Sequence, residues 1–113
     1  MRNREEIALQ KQCVSYLLAA IPPPPVGPFW TAINPLPGSS ARQGQLAKDM
    51  GLIAGVPDFL FFKQDQIYGI ELKTSKGRAS KAQEACHKSM ALAGAEIHVA
   101  KSFDEFVKFV RSI

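Results

Sequence analysis

The sequence predicts a mixed α/β fold in which a central β-sheet is flanked by helices. Helical spacing of apolar residues recurs near both ends of the chain and again between Ser80 and Ala93. Short runs of aromatic and β-branched residues lie between those segments, and two of them flank a polar turn. The 113 residues are one domain's worth, read as a single unit over 1–113. A chain of this size buries roughly two-thirds of its extended surface, enough for one core without staples.

The first helix is expected from about Arg4 to Ile21, with Ile7, Val14, Leu18 and Ile21 in register and Leu17 widening the stripe. The prolines from Pro22 to Pro25 end it, because proline has no amide to donate and clashes with the preceding turn. A short strand follows at Phe29–Ile33, then a loop from Asn34 to Gly44, then a short helix at Gln45–Met50 closed by Gly51. Asp58–Phe62 and Ile67–Thr74 read as the arms of a hairpin around the polar turn from Lys63 to Gln66. Ser80 caps the next helix, which runs to about Ala93 and ends at Gly94. A strand at Glu96–Ala100 precedes a last helix capped by Ser102, with Phe103, Phe106, Val107 and Val110 as its core face. Glu105 is placed to complete a capping box there, and Phe109 falls off the core stripe.

Several classes are disfavoured. No apolar run approaches the ~18–20 residues that span a bilayer, and no signal-peptide stretch follows the charged N-terminus. The expectation is an intracellular, cytoplasmic protein with no membrane partner. Cys13, Cys86, His87 and His98 are too few and too scattered for a disulfide scaffold or a structural zinc site, so both cysteines are read as small buried hydrophobes. The formal net charge is +4, from 14 basic and 10 acidic residues. The segment from Lys73 to Lys88 carries Lys73, Lys76, Arg78, Lys81 and Lys88 against Glu84 alone. A local basic stripe suits a phosphate backbone, and equally a solvated helix face.

A centred hairpin pairs residue 62 with 67, 60 with 69 and 58 with 71. Asp58 and Glu71 then stand opposite one another, about 4.5–5.5 Å apart at Cα. Lys73 shares the face of Glu71, because side chains alternate along a strand. Facing carboxylates in apolar strands need a compensating charge, and hard oxygen ligands suit Mg2+ or Mn2+. The lysine is suited to neutralising charge that develops on a phosphorane. On spacing alone, a strand opening after Pro57 and a surface pair of Glu71 with Lys73 account for the same residues.

The ordered set Gly55-Val56-Pro57-Asp58, Glu71-Leu72-Lys73 and Gln83 resembles the signature of the PD-(D/E)XK nucleases, and more narrowly the VRR-NUC (virus-type replication-repair nuclease) family. The likeness extends to the Lys76-Gly77-Arg78 loop, the serine before Gln83, the strand from Gly94 to Val99, and Asn34 at the end of the early strand. It implies a restriction-endonuclease-like fold and metal-dependent hydrolysis of DNA. Asp58 and Glu71 would be metal ligands with the Leu72 carbonyl, for Mg2+ or Mn2+, and Lys73 the catalytic lysine. Gln83 would assist from the first turn of its helix, or else simply close a capping box on Ser80. Glu6, with Gln10 one turn on, would supply the acid of the first helix, a position that Glu5 also fits. Lys76, Arg78 and Lys81 would meet phosphates without reading bases. Phe29 and Trp30 are read as buried aromatics rather than base-stacking platforms.

The resemblance points to an endonuclease for branched DNA such as four-way (Holliday) junctions, acting in DNA repair as a homodimer in a bacterial or phage-infected cell. The alternatives are a flap, nick or restriction-type nuclease with the same chemistry, or a non-catalytic DNA-binding module on a nuclease fold.

Overall fold

The computed structural model describes residues 4–33, 45–46, 48–74 and 78–113. Asn34, Lys76, and the loop expected from Asn34 to Gly44 lie outside the described residues. The elements run in the order α1 (Arg4–Ala20), β1 (Phe29–Ala32), β2 (Phe59–Lys63), β3 (Gln66–Leu72), α2 (Lys81–Leu92), β4 (Glu96–Ala100) and α3 (Phe103–Ser112). Residues 45, 46, 48 and 49 are helical, and Met50 donates its amide to the Leu46 carbonyl.

The four strands form one sheet in sequence order. β1, β2 and β3 are antiparallel, whereas β4 lies parallel to β3. A parallel neighbour cannot be reached by a tight turn, and α2 makes the crossover. The β2–β3 hairpin has the centred register expected: Phe62 faces Ile67, Leu60 faces Gly69 and Phe59 faces Ile70. Its turn is tighter than the polar run implied. Lys63 still pairs with Gln66, so only Gln64 and Asp65 make the bend, with Gln64 at φ 53°.

One face of the sheet carries the main core. Phe59, Phe61, Ile70, Leu72 and Ala100 meet Cys13 and Leu17 of α1 and Phe106 and Val110 of α3. Burying each of these large side chains contributes about 1.5–3 kcal/mol. The Phe106 ring lies 5.3 Å from that of Phe59 and 6.3 Å from that of Phe61. Phe109 is not spare: its ring contacts Phe61, Tyr68 and His98.

The buried stripe of α1 also differs from the expected one. Leu18 is 73% exposed and Ile7 is 42% exposed, whereas Cys13 and Leu17 are fully buried. The helix therefore presents the row Glu6, Gln10, Cys13 and Leu17, spaced by four, three and four residues. Polar residues occupy half of that row, which hid it from a hydrophobic count. In α3 the expected capping box is only half formed. Ser102 Oγ accepts from the Glu105 amide, but the Glu105 carboxylate accepts from the amide of Lys101 rather than Ser102.

The second face of the sheet is set by alternation. Glu71 points away from Ile70 and Leu72, towards Gln83 and His87 of α2, and Gly69 lies on the same face. Pro57 lies over Gly69, where an added Cβ would stand 2.9 Å from Pro57 Cγ and from Ile97 Cδ1. Only glycine lets that loop lie so close to the strand. Further out, Phe29, Phe62 and Ile67 form one row across three strands and are 38–55% exposed. Phe29 is thus a surface residue, while Trp30 packs against Phe59 as a core aromatic should.

Candidate active site

Asp58 and Glu71 are the buried acidic residues among the described ones, 6% and 3% exposed. Both stand at strand ends whose backbones are tied by a neighbour. The Asp58 carbonyl accepts from the Ile33 amide at 2.7 Å, just past β1. The Lys73 amide donates to the Ala100 carbonyl at 2.9 Å, at the end of β4. Asp58 stands one step beyond the Phe59–Ile70 pair, which puts it across from Glu71. Its Oδ2 accepts from the Leu72 amide at 2.7 Å. The Asp58 side chain therefore completes the ladder where the backbone pairing stops.

Glu71 is held from α2. Its Oε2 accepts from Gln83 Nε2 at 3.0 Å. Lys73 Nζ stands 3.9 Å from the same oxygen, close enough to offset its charge and too far for a direct hydrogen bond. On the other oxygen, His87 Nε2 approaches Oε1 to 3.9 Å. Gln83 and His87 are one turn apart, so α2 reaches both oxygens of one carboxylate.

Gln83 makes the capping box and also touches Glu71. Ser80 Oγ accepts from the Gln83 amide at 3.1 Å, and Gln83 Oε1 accepts from the Ser80 amide at 2.9 Å. The capping box is complete, and the remaining end of the Gln83 side chain reaches Glu71.

His87 joins the site without having been expected there. Burial lowers its pKa first, the charge of Lys73 adds to that, and Asp58 and a hydrogen bond with the Gly55 backbone oppose it. Its Nε2 is buried and makes no hydrogen bond. The available signal was its place four residues after Gln83 on one helix face. The cysteines flank the carboxylates and are inert. Burial, and then the charge of Asp58, push the Cys13 thiol up to about 12. Burial and Glu71 raise that of Cys86 in the same way.

Glu6 lies half-buried on the inward row of α1, two turns before Cys13. The described residues contain no group of three His, Cys, Asp or Glu side chains arranged to hold a metal ion. Asp58 and Glu71 accordingly stand as a pair. A pair suits Mg2+, which keeps several waters and takes one or two carboxylates together with substrate phosphate. Two adjacent buried hard-oxygen groups fit such a cation. Arg78 and Lys81 are exposed at the start of α2. No helix of the described residues is long and apolar enough to cross a membrane.

No protein-family model matches the chain, and no curated protein sequence does so significantly. Solved structures do match. One described as "VRR_NUC domain protein" superposes with a TM-score of 0.76 at 18% identity, covering 99% of this chain and 89% of the other. Another, "VRR_NUC domain", gives 0.60 at 19% identity over 96% of this chain and 97% of the other. The chain therefore has the VRR-NUC domain fold, a restriction-endonuclease-like α/β arrangement.

Proposed function

We propose that this chain is a metal-dependent endodeoxyribonuclease that hydrolyses phosphodiester bonds, with branched DNA such as four-way junctions as its substrate. The observation that carries the reading is the buried pair of Asp58 and Glu71 with Lys73 Nζ 3.9 Å from Glu71. Two adjacent buried acids are costly to keep charged, and the one backbone bond that Asp58 accepts from Leu72 needs an acceptor oxygen there, not two facing charges.

Asp58 and Glu71 would hold Mg2+ or Mn2+, together with the carbonyl of Leu72. In an extended strand a residue aims its amide and carbonyl at the same edge, and Leu72 aims its amide at Asp58. When bound, the cation supplies Lewis-acid activation of the phosphate and lowers the pKa of bound water. The chain's own groups do the rest. Lys73 offsets negative charge as it grows on the phosphate oxygens. Gln83 keeps the Glu71 carboxylate in one orientation. Glu6, on the inward row of α1, assists from the opposite helix. Lys76, Arg78 and Lys81 follow the active-site strand in sequence and would bind the flanking phosphates without reading sequence.

A single site per chain and symmetric cleavage of a junction together call for two subunits. The exposed row of Phe29, Phe62 and Ile67 supplies apolar surface for such a pair. The test is cleavage of labelled four-way junctions, flaps, nicked duplex and linear duplex with Mg2+, Mn2+ or Ca2+, alongside a solution mass. The reading expects paired symmetric nicks in the junction and a mass of twice 12.4 kDa. Preference for flaps by a monomer would keep the chemistry and overturn the substrate. No cleavage of any DNA with any cation would overturn the enzyme reading itself.

A further inference from the structure

Gln83 is an ambiguous group by itself. A primary amide has one accepting end and one donating end, and either can be turned towards a neighbour. Presented to a carboxylate, only the donating end is useful. In this chain the choice is made by a residue that does not touch the site.

The Ser80 amide is a backbone donor at the start of α2, where helix geometry offers it no carbonyl. It takes the oxygen of the Gln83 side chain at 2.9 Å. The Ser80 hydroxyl in turn accepts from the Gln83 amide at 3.1 Å, which holds the first turn in the shape that makes this reach possible. With Oε1 committed to Ser80, only Nε2 remains to face Glu71, and it lies 3.0 Å from Oε2. A flipped amide would set a donor against the Ser80 donor and an acceptor against a carboxylate. Both contacts would be lost at once.

We propose that Ser80 is a positioning residue for Glu71, acting through the capping box that locks the Gln83 amide as a one-way donor. The inference rests on the reading of Glu71 as a working carboxylate, but the lock itself exists in the metal-free protein. Gripped through Oε2, the carboxylate cannot rotate freely, and Oε1 is held on the His87 side. A cap thus does two things: it starts the helix and it orients a strand residue on the sheet beneath.

The full chain with Ser80→Gly tests this directly. Glycine is tolerated at N-caps nearly as well as serine, so the fold should survive, while the hydroxyl that shapes the first turn is gone. Ser80→Thr restores the hydroxyl and serves as the rescue. Three quantities are read on each variant: the Gln83 side-chain NH2 signals in 15N-labelled metal-free protein, Mn2+ affinity, and single-turnover DNA cleavage. In wild type and Ser80→Thr, one Gln83 NH2 proton should be shifted downfield and protected from exchange. In Ser80→Gly the pair should collapse towards exposed-glutamine values, and Mn2+ affinity or turnover should fall by about tenfold, as for other groups that orient metal ligands. Glycine keeps the backbone amide at position 80, so unchanged NH2 signals in Ser80→Gly overturn the hydroxyl's part in the lock and with it the role proposed for Ser80. Lost NH2 signals with unchanged Mn2+ affinity and turnover overturn the positioning role. If wild type shows the protected proton but cuts no DNA, the lock stands and the nuclease reading falls.

Discussion

Replacing Gly55 by alanine should damage the site out of proportion to the size of a methyl group. Gly55 has φ +90°, which costs an L-residue about 1–2 kcal/mol. Its added Cβ would also stand 2.4 Å from the Ala82 carbonyl oxygen, 2.6 Å from the Ala82 carbonyl carbon and 2.7 Å from the Gln83 amide nitrogen. All three are backbone atoms in the first turn of α2, so none can swing aside. Ordinary contact begins at 3.4 Å, so loop and helix must part by about 1 Å. Overpacking of this kind adds about 1–3 kcal/mol, for a total near 2–5 kcal/mol. The displacement separates Asp58, three residues along the loop, from Gln83 on the helix. A misplacement of that size costs about 100-fold in rate. Gly94→Ala is the control, since Gly94 has φ +105° but nothing within 4 Å of its Cβ position. Urea melts and single-turnover cleavage should show a modest stability loss and normal cleavage for Gly94→Ala. Gly55→Ala should lose more stability and most of its turnover. Equal melts for the two variants, with wild-type cleavage by Gly55→Ala, would refute the reasoning.

Three other predictions follow from the same geometry. Asp58→Ala leaves the buried Leu72 amide without its acceptor and should lose about 1–3 kcal/mol in metal-free urea melts. Asp58→Asn keeps an acceptor oxygen, removes a like charge and should hold wild-type stability or exceed it. Equal stability of the two would deny Asp58 its place in the ladder. The lowered pKa of His87 means that the unfolded chain takes up the proton first as pH falls below 6.5. Stability is then full above that value and lost as pH drops towards the folded pKa. His87→Gln should flatten that part of the apo melting curve between pH 7.5 and 5.5, and parallel curves would contradict it. Neutralising Lys76, Arg78 and Lys81 together should weaken all DNA shapes alike and reduce the salt slope by roughly 0.9 log unit per lost phosphate contact. An unchanged slope would remove these residues from the DNA surface.

Much of this arrangement is legible in the amino-acid sequence. The expected β2–β3 register assumes a hairpin centred on one polar turn, which a bulge or off-centre turn would shift by a residue, and the strands do pair in that register. Ser80 and Ser102 marked helix starts, since an N-cap is a local decision. What stayed hidden depends on packing between distant segments. The inward row of α1 contains Glu6 and Gln10, so a search for apolar periodicity chose a neighbouring face. Phe109 seemed unpartnered on its helix and is instead packed by Phe61 and Tyr68 of the sheet. His87 belongs to the site only because the Gly55 loop and β3 both press against α2. Gln83 posed a choice between cap and site that the sequence could not resolve. One end of its amide closes the cap and the other contacts Glu71.

The central claim is that Asp58 and Glu71 bind the cation and Lys73 drives the chemistry. It is tested most directly by titrating Mn2+ into wild type, Asp58→Asn, Glu71→Gln and Lys73→Ala and assaying DNA cleavage on the same preparations. Wild type should bind and cut. The two carboxylate variants should bind at least about tenfold more weakly and not cut. Lys73→Ala should bind Mn2+ and DNA nearly as wild type does, yet turn over at least about 100-fold more slowly. Cleavage at the wild-type rate by either carboxylate variant, or by Lys73→Ala, would contradict the account.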